Sequence, residues 1–248
     1  MNIPKILTEK ADETEAKLKE IYPELAPFFK KCFLNTIETT VTPLDDGSYF
    51  VITGDIPAMW LRDSAAQLKP YIRFAPYDDS LKEIFRGVIA RQSYYVNIDP
   101  YSNAWCASKT NNAADDKTDF YNDLIWERKY ETDSLCAPVF LAHEYYHATL
   151  DNSIFTESFK GMLEKIVEVF VVGYIELVPV IESGTFYGAV AYLEPERSDK
   201  VKPRVSTSAC ACDIARVLRY FGFYQNYVKH KNYNTYVRFC DKTIRTRT

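Results

Sequence analysis

Asp55, Trp60, Arg62 and Asp63 fall within nine residues, in the stretch TGDIPAMWLRDSAAQL. Two further clusters have the same make-up: Asp99, Tyr101, Asn103 and Trp105, then Trp126, Glu127, Arg128, Tyr130, Glu131 and Asp133. A sugar ring is polar at its edges and apolar on one face. A carbohydrate site therefore wants carboxylates and an arginine fork around an aromatic platform. Buried ion-pair networks between helices use the same residue types, and each cluster taken singly fits that role. Three such clusters, all at helix edges, favour a pocket.

Metal chemistry is a rival use of the chain's polar residues. HEYYH, residues 143–147, matches H-E-x-x-H and would put His143 and His147 on one helical face with Glu144 beside them. No third-ligand motif follows and the flanks are core-type, so the expected role is a packed or solvated helix end and no metal. Cys210 and Cys212 lack ligand company, and the six cysteines, Cys32, Cys106, Cys136, Cys210, Cys212 and Cys240, are read as free thiols in a chain too large to need staples.

Composition narrows the class. The 248 residues are 47% hydrophobic, enough for a real core in a single domain spanning 1–248. The net charge of −4 is spread over both signs, leaving no basic stripe for nucleic acid. The first 27 residues are charged and helical in pattern, with no apolar core of a secretory signal. The most apolar run, IVEVFVVGYIELVPVIE, is broken by Glu168 and Glu176, so no membrane span is expected. A cytoplasmic location follows as an expectation.

These residues need elements to hold them. Apolar residues recur with helical period through Phe29, Cys32, Phe33 and Ile37; through Leu81, Ile84, Phe85, Val88, Gln92 and Tyr95; through Leu135, Val139, Ala142 and Tyr146; and through Phe159, Leu163, Ile166, Phe170 and Leu177. Another helix is expected at about 212–224. Ser80-x-x-Glu83 and Ser64-x-x-Gln67 read as capping boxes, which would start a helix near Ser64 with Asp63 at its edge. Alternation around Asp46-Gly47 predicts a β-hairpin near residues 39–53, followed by a shaped turn at Gly54 and Pro57. The polar stretch 99–123 reads as a long, substrate-facing loop.

The motifs FVITGDIPAMWLRDSAAQLKPY, RQSYYVNIDPYSNAW and IWERKYETDSLCAPVFLA, in that order, resemble those of glycoside hydrolase family 125, the metal-independent exo-α-1,6-mannosidases. The resemblance runs from about Thr39 to Leu150. It implies a mainly α protein of the (α/α)6-barrel (toroid) type, removal of a non-reducing terminal α-1,6-linked mannose with inversion, and no metal or cofactor. Carried over by position, Asp55, Trp60, Arg62, Asp63, Asp99, Asn103, Glu131 and Asp133 would line or support the sugar pocket. Ser198-Asp199 matches the family's acid motif, making Asp199 the candidate general acid. Lys200 replaces the motif's second aspartate and would favour ionised Asp199, the wrong state for an acid. The family's base is a glutamate further along a longer chain, beyond Thr248. The expected barrel is thus incomplete, and a partner chain would be needed to cover its apolar inner faces. The alternative function is a catalytically inactive mannose-binding or interaction protein.

Overall fold

The computed structural model describes residues 2–109, 120 and 122–182, with side chains through Phe170. The expected helix at 212–224, the cysteines at 210, 212 and 240, Asp199 and residues 110–119 and 121 of the predicted loop lie outside the described residues. Helices α1 (Lys5–Ile21) and α2 (Ala26–Asn35) form a first antiparallel pair, the second continuing as a π turn, Thr36–Thr40. Leu7 and Ala11, one turn apart, bury the inner stripe of α1. Phe33 of α2 is half-buried and Ile37 of the π turn fully buried, but Cys32 is exposed, so the sequence stripe is narrower than its periodicity suggests.

Strands β1 (Val41–Pro43) and β2 (Tyr49–Val51) pair antiparallel with Thr42 opposite Phe50. Gly47, at φ +78°, makes the expected turn, and Asp46 accepts hydrogen bonds from the Ser48 amide (3.0 Å) and hydroxyl (2.6 Å). Three very short strands then build a second sheet that the sequence did not announce: β3 (Met59–Trp60), β4 (Ala104–Trp105) and β5 (Ile125–Glu127), in that order and antiparallel. Strands of two or three residues carry no measurable alternation, so periodicity cannot find them.

Helix α3 (Leu61–Leu68) starts three residues before the expected cap. Ser64 is fully buried, donating to the Leu61 carbonyl (3.1 Å) and accepting from Gln92 Nε2 (2.9 Å), while the Leu61 amide donates to the Asn103 carbonyl (3.1 Å). A long-range backbone partner replaces the local cap. A 3-10 segment, Lys69–Tyr77, leads to α4 (Asp79–Ile98). Here too the sequence signal is displaced, by two residues, because Asp78 and not Ser80 is the cap. Its Oδ1 accepts from the amides of Ser80 (2.9 Å) and Leu81 (3.2 Å), while Oδ2 accepts from the Ile6 amide of α1 (3.1 Å). One carboxylate thus serves two helix starts.

Helices α5 (Thr132–Thr149) and α6 (Glu157–Glu182) complete the described part. Helix α3 packs on α5 and α4 packs on α6, the arrangement of adjacent sectors of an α/α toroid. The α4 stripe from Leu81 to Tyr95 is buried throughout, as are Leu135, Val139 and Ala142 of α5 and Phe159, Leu163 and Ile166 of α6. Stacked rings join the layers: Phe85 on Tyr145 (5.5 Å) and Tyr95 on Trp105 (4.7 Å). Burying one such ring contributes about 2–3 kcal/mol. Among the described residues no helix is long and apolar enough to cross a membrane.

Candidate active site

Arg62, in the first turn of α3, organises the acidic residues. Its Nη1 donates to Asp133 Oδ2 (3.0 Å) and Glu131 Oε2 (3.4 Å), and its Nη2 reaches Asp63 Oδ2 (3.3 Å). The Asp133 hydrogen bond, followed by the charges of Glu131, Asp133 and Asp63, raises the Arg62 pKa against the opposing effect of burial. Asp63 and Asp133 occupy the first turns of α3 and α5, where the positive end of each helix dipole favours a carboxylate. Helices α3 and α5 pack against each other and both have their first turns at Arg62. Their N-terminal ends therefore open onto one acidic patch, with Arg62 44% and Asp133 39% exposed. Ser134 Oγ donates to Glu131 Oε2 (2.8 Å) and fixes that carboxylate from behind.

Asp99 and Asn103 are buried, and the Asn103 backbone carbonyl accepts the first amide of α3. Asp99, 4% exposed, accepts from Arg128 Nε (2.8 Å), Ser102 Oγ (2.6 Å) and the Tyr101 amide (3.3 Å). Arg128 also lies over the rings of Tyr101 and Phe120. Tyr130 packs against Tyr101, and burial pushes its phenol up to about 12. Asn103, 1% exposed, donates to Glu127 Oε1 (2.7 Å) and accepts from the Lys129 amide (3.1 Å). Both residues hold backbone and neighbouring side chains rather than facing open space.

Asp55 stands apart. It is exposed at the tip of the turn closed by the Ile56 amide on the Thr53 carbonyl (3.1 Å), with no hydrogen bond or ion pair among the described residues. Trp60, the residue before α3, is half-buried. Glu127 was in the sequence cluster but was not singled out; the structure places it between Trp60, Asn103 and Lys129. Its signal in the sequence was only its place beside Trp126 and Arg128.

The HEYYH residues lie on α5. The rings of His143 and His147 are 4.4 Å apart and His143 Nδ1 is 3.2 Å from Glu144 Oε1, yet no group of three or more metal-ligating side chains forms among the described residues. A cavity of about 650 Å³ lies between α1, α2, α3 and the 3-10 segment, lined by Lys10, Phe29, Phe33, Lys69, Arg73 and Phe74 among others. It contains none of the acidic-site residues and is read as space between elements, not as the seat of chemistry.

The family described as metal-independent α-mannosidase (GH125) matches residues 22–175, well over half of the chain. The chain belongs to glycoside hydrolase family 125. The match includes Arg62 and all of its carboxylate partners. A curated relative, the meiotically up-regulated gene 157 protein of Schizosaccharomyces pombe, is 37% identical over 158 residues, which are 59% of this chain and 31% of that protein. A solved metal-independent α-mannosidase from Streptococcus pneumoniae, described as a non-productive complex with α-1,6-mannobiose, is 29% identical with a TM-score of 0.71. That similarity covers 96% of this chain and 60% of the other. The chain thus spans about a third of the length of the one relative and three-fifths of the other.

Proposed function

We propose that this family 125 chain binds the non-reducing terminal mannose of an α-1,6-linked glycan and belongs to an exo-acting α-mannosidase that inverts the anomeric carbon. The observation that carries the reading is the Arg62 cluster, with Asp63, Glu131 and Asp133 gathered at the starts of α3 and α5. Three carboxylates around one guanidinium leave acceptor lone pairs over, and Arg62 Nε has no acceptor among the described residues. Vicinal sugar hydroxyls, each donor and acceptor, match that surplus. The solved S. pneumoniae relative carries α-1,6-mannobiose in its complex, which supports mannose as the sugar.

Inversion needs a carboxylic acid to protonate the glycosidic oxygen while a second carboxylate takes a proton from the attacking water, the two about 6.5–9.5 Å apart. Asp199 is proposed as the acid, on the Ser198-Asp199 motif. Lys200 beside it favours the second reading, a mannose-binding protein without turnover. Incubation of the 1–248 chain with α-1,6-mannobiose, followed by NMR of the anomeric protons, decides between them. Initial β-mannose, abolished by Asp199→Asn, supports the inverting enzyme. Initial α-mannose, or undiminished turnover by Asp199→Asn, overturns the mechanism. Binding without product gives the second reading, and neither binding nor product sinks both.

A further inference from the structure

We propose that Glu127 is a positioning residue that sets the orientation of the Trp60 indole in the sugar-binding wall, acting on the sugar through Trp60; this rests on the mannose reading above. The three-stranded sheet supplies the geometry. Trp60 of β3 pairs with Ala104 of β4, and Ala104 pairs with Glu127 of β5, so the three residues form one row across the sheet. Side chains in one such row share a face, and neighbouring strands lie about 4.8 Å apart. Only the methyl group of Ala104 separates Trp60 from Glu127, so an indole can lie over it toward the carboxylate.

Glu127 is well placed to receive it. The carboxylate is itself held by Asn103 Nδ2 (2.7 Å) and Lys129 Nζ (2.7 Å) and is 18% exposed. The indole N–H can only donate, and Glu127 is the acceptor that the register places in its row. Burial alone would raise the Glu127 pKa, but the hydrogen bonds from Lys129 and Asn103 and the Lys129 charge bring it below the usual glutamate value. An ionised carboxylate already held by two donors suits a fixed anchor. It is poorly suited to shuttling a proton at the anomeric carbon.

The anchoring matters because of where Trp60 sits. It is the last residue before α3, two positions ahead of Arg62, and it is half-buried. Fixing its N–H edge fixes the plane of an apolar surface beside the acidic patch. Asn103 belongs to the same assembly, since its carbonyl accepts the first amide of α3 while its side chain holds Glu127. Sheet, indole and helix start are therefore set as one unit.

The test uses the 15N-labelled 1–248 chain, whose three tryptophans give three indole N–H signals, with Trp60→Phe assigning the relevant one. In the native chain this signal should follow the ionisation of Glu127, with a midpoint below the usual glutamate value, and Glu127→Ala should shift it and remove that titration. Glu127→Ala and Trp60→Phe should each weaken α-1,6-mannobiose binding about tenfold, and the double variant should bind no more than about twofold worse than Trp60→Phe. An indole signal indifferent to Glu127→Ala overturns the proposal, as does an equal loss from that change in both backgrounds. Should Glu127→Ala unfold, Glu127→Gln keeps the shape and removes the charge, and the titration of the Trp60 signal must then vanish. If the native chain binds no mannobiose, the mannose reading falls, while the indole signal still decides whether Glu127 holds Trp60.

Discussion

Arg62, 44% exposed, holds three carboxylates, and its two roles separate in energy. Exposed ion pairs contribute about 0–1 kcal/mol each to stability, so Arg62→Ala should lower the unfolding free energy by no more than about 1 kcal/mol in urea titration. Its effect on α-1,6-mannobiose binding should be at least about tenfold, because Asp63, Glu131 and Asp133 would repel one another and lose their shared geometry. Arg62→Lys keeps the charge but not the fork that reaches Asp133 and Asp63 through different nitrogens, and should recover only part of the affinity. The sequence put Arg62 and Asp63 side by side; it could not show that Glu131 and Asp133, about seventy positions later, close on the same guanidinium. Nor could it show that Asp99 turns inward to Arg128. An aspartate reads the same on either side of a pocket wall.

Elements are joined at a few close approaches. Gly87 of α4 faces β2, and a Cβ there would lie 2.3 Å from Tyr49 Cδ2, 3.1 Å from the Tyr49 amide nitrogen and 3.2 Å from the Gly47 carbonyl oxygen. The Tyr49 ring could swing aside, but the backbone of the hairpin could not without disturbing its turn. Gly87→Ala should therefore cost about 1–3 kcal/mol, despite the better helix propensity of alanine, and thermal denaturation checks it. Arg91 binds the same hairpin one turn later, donating to Ser48 Oγ (2.8 Å) and Asp46 Oδ2 (2.7 Å). The hairpin and the helical stripes were legible because each extends over enough residues to repeat. Helix starts were less legible: Asp78, an equally good local cap two residues earlier, takes the place of Ser80, and the Asn103 carbonyl, distant in sequence, takes the place of Ser64.

At the scale of the whole molecule, Asp151 ties both helical layers. Its carboxylate accepts from Tyr145 Oη of α5 (2.6 Å), Arg86 Nη1 of α4 (3.2 Å) and the Ser153 amide that leads toward α6 (2.9 Å). Burial opposes ionisation, but these hydrogen bonds, with the Arg86 charge, depress its pKa to about 2. A carboxyl depressed in the folded state stabilises above its unfolded value of about 3.9. That contribution is lost as pH falls from about 4 to about 2. Asp151→Asn should cost about 1–3 kcal/mol at pH 7, and the difference from the native chain should shrink as the pH falls through this window in urea titrations. A gap that stays constant down to pH 2 would remove Asp151 from that role.

Sequence alone determined the helical class, the hairpin at Asp46-Gly47 and the family, because helical period, turn residues and contiguous motifs are local properties. It also placed Trp60, Arg62 and Asp63 at a helix mouth. Only the tertiary structure decided which acids share Arg62, which face inward to the wall, and that Glu127 lies one small residue across the sheet from Trp60. Those relations depend on strand register and on two helices starting at one point, and both are set by packing between segments far apart in the chain.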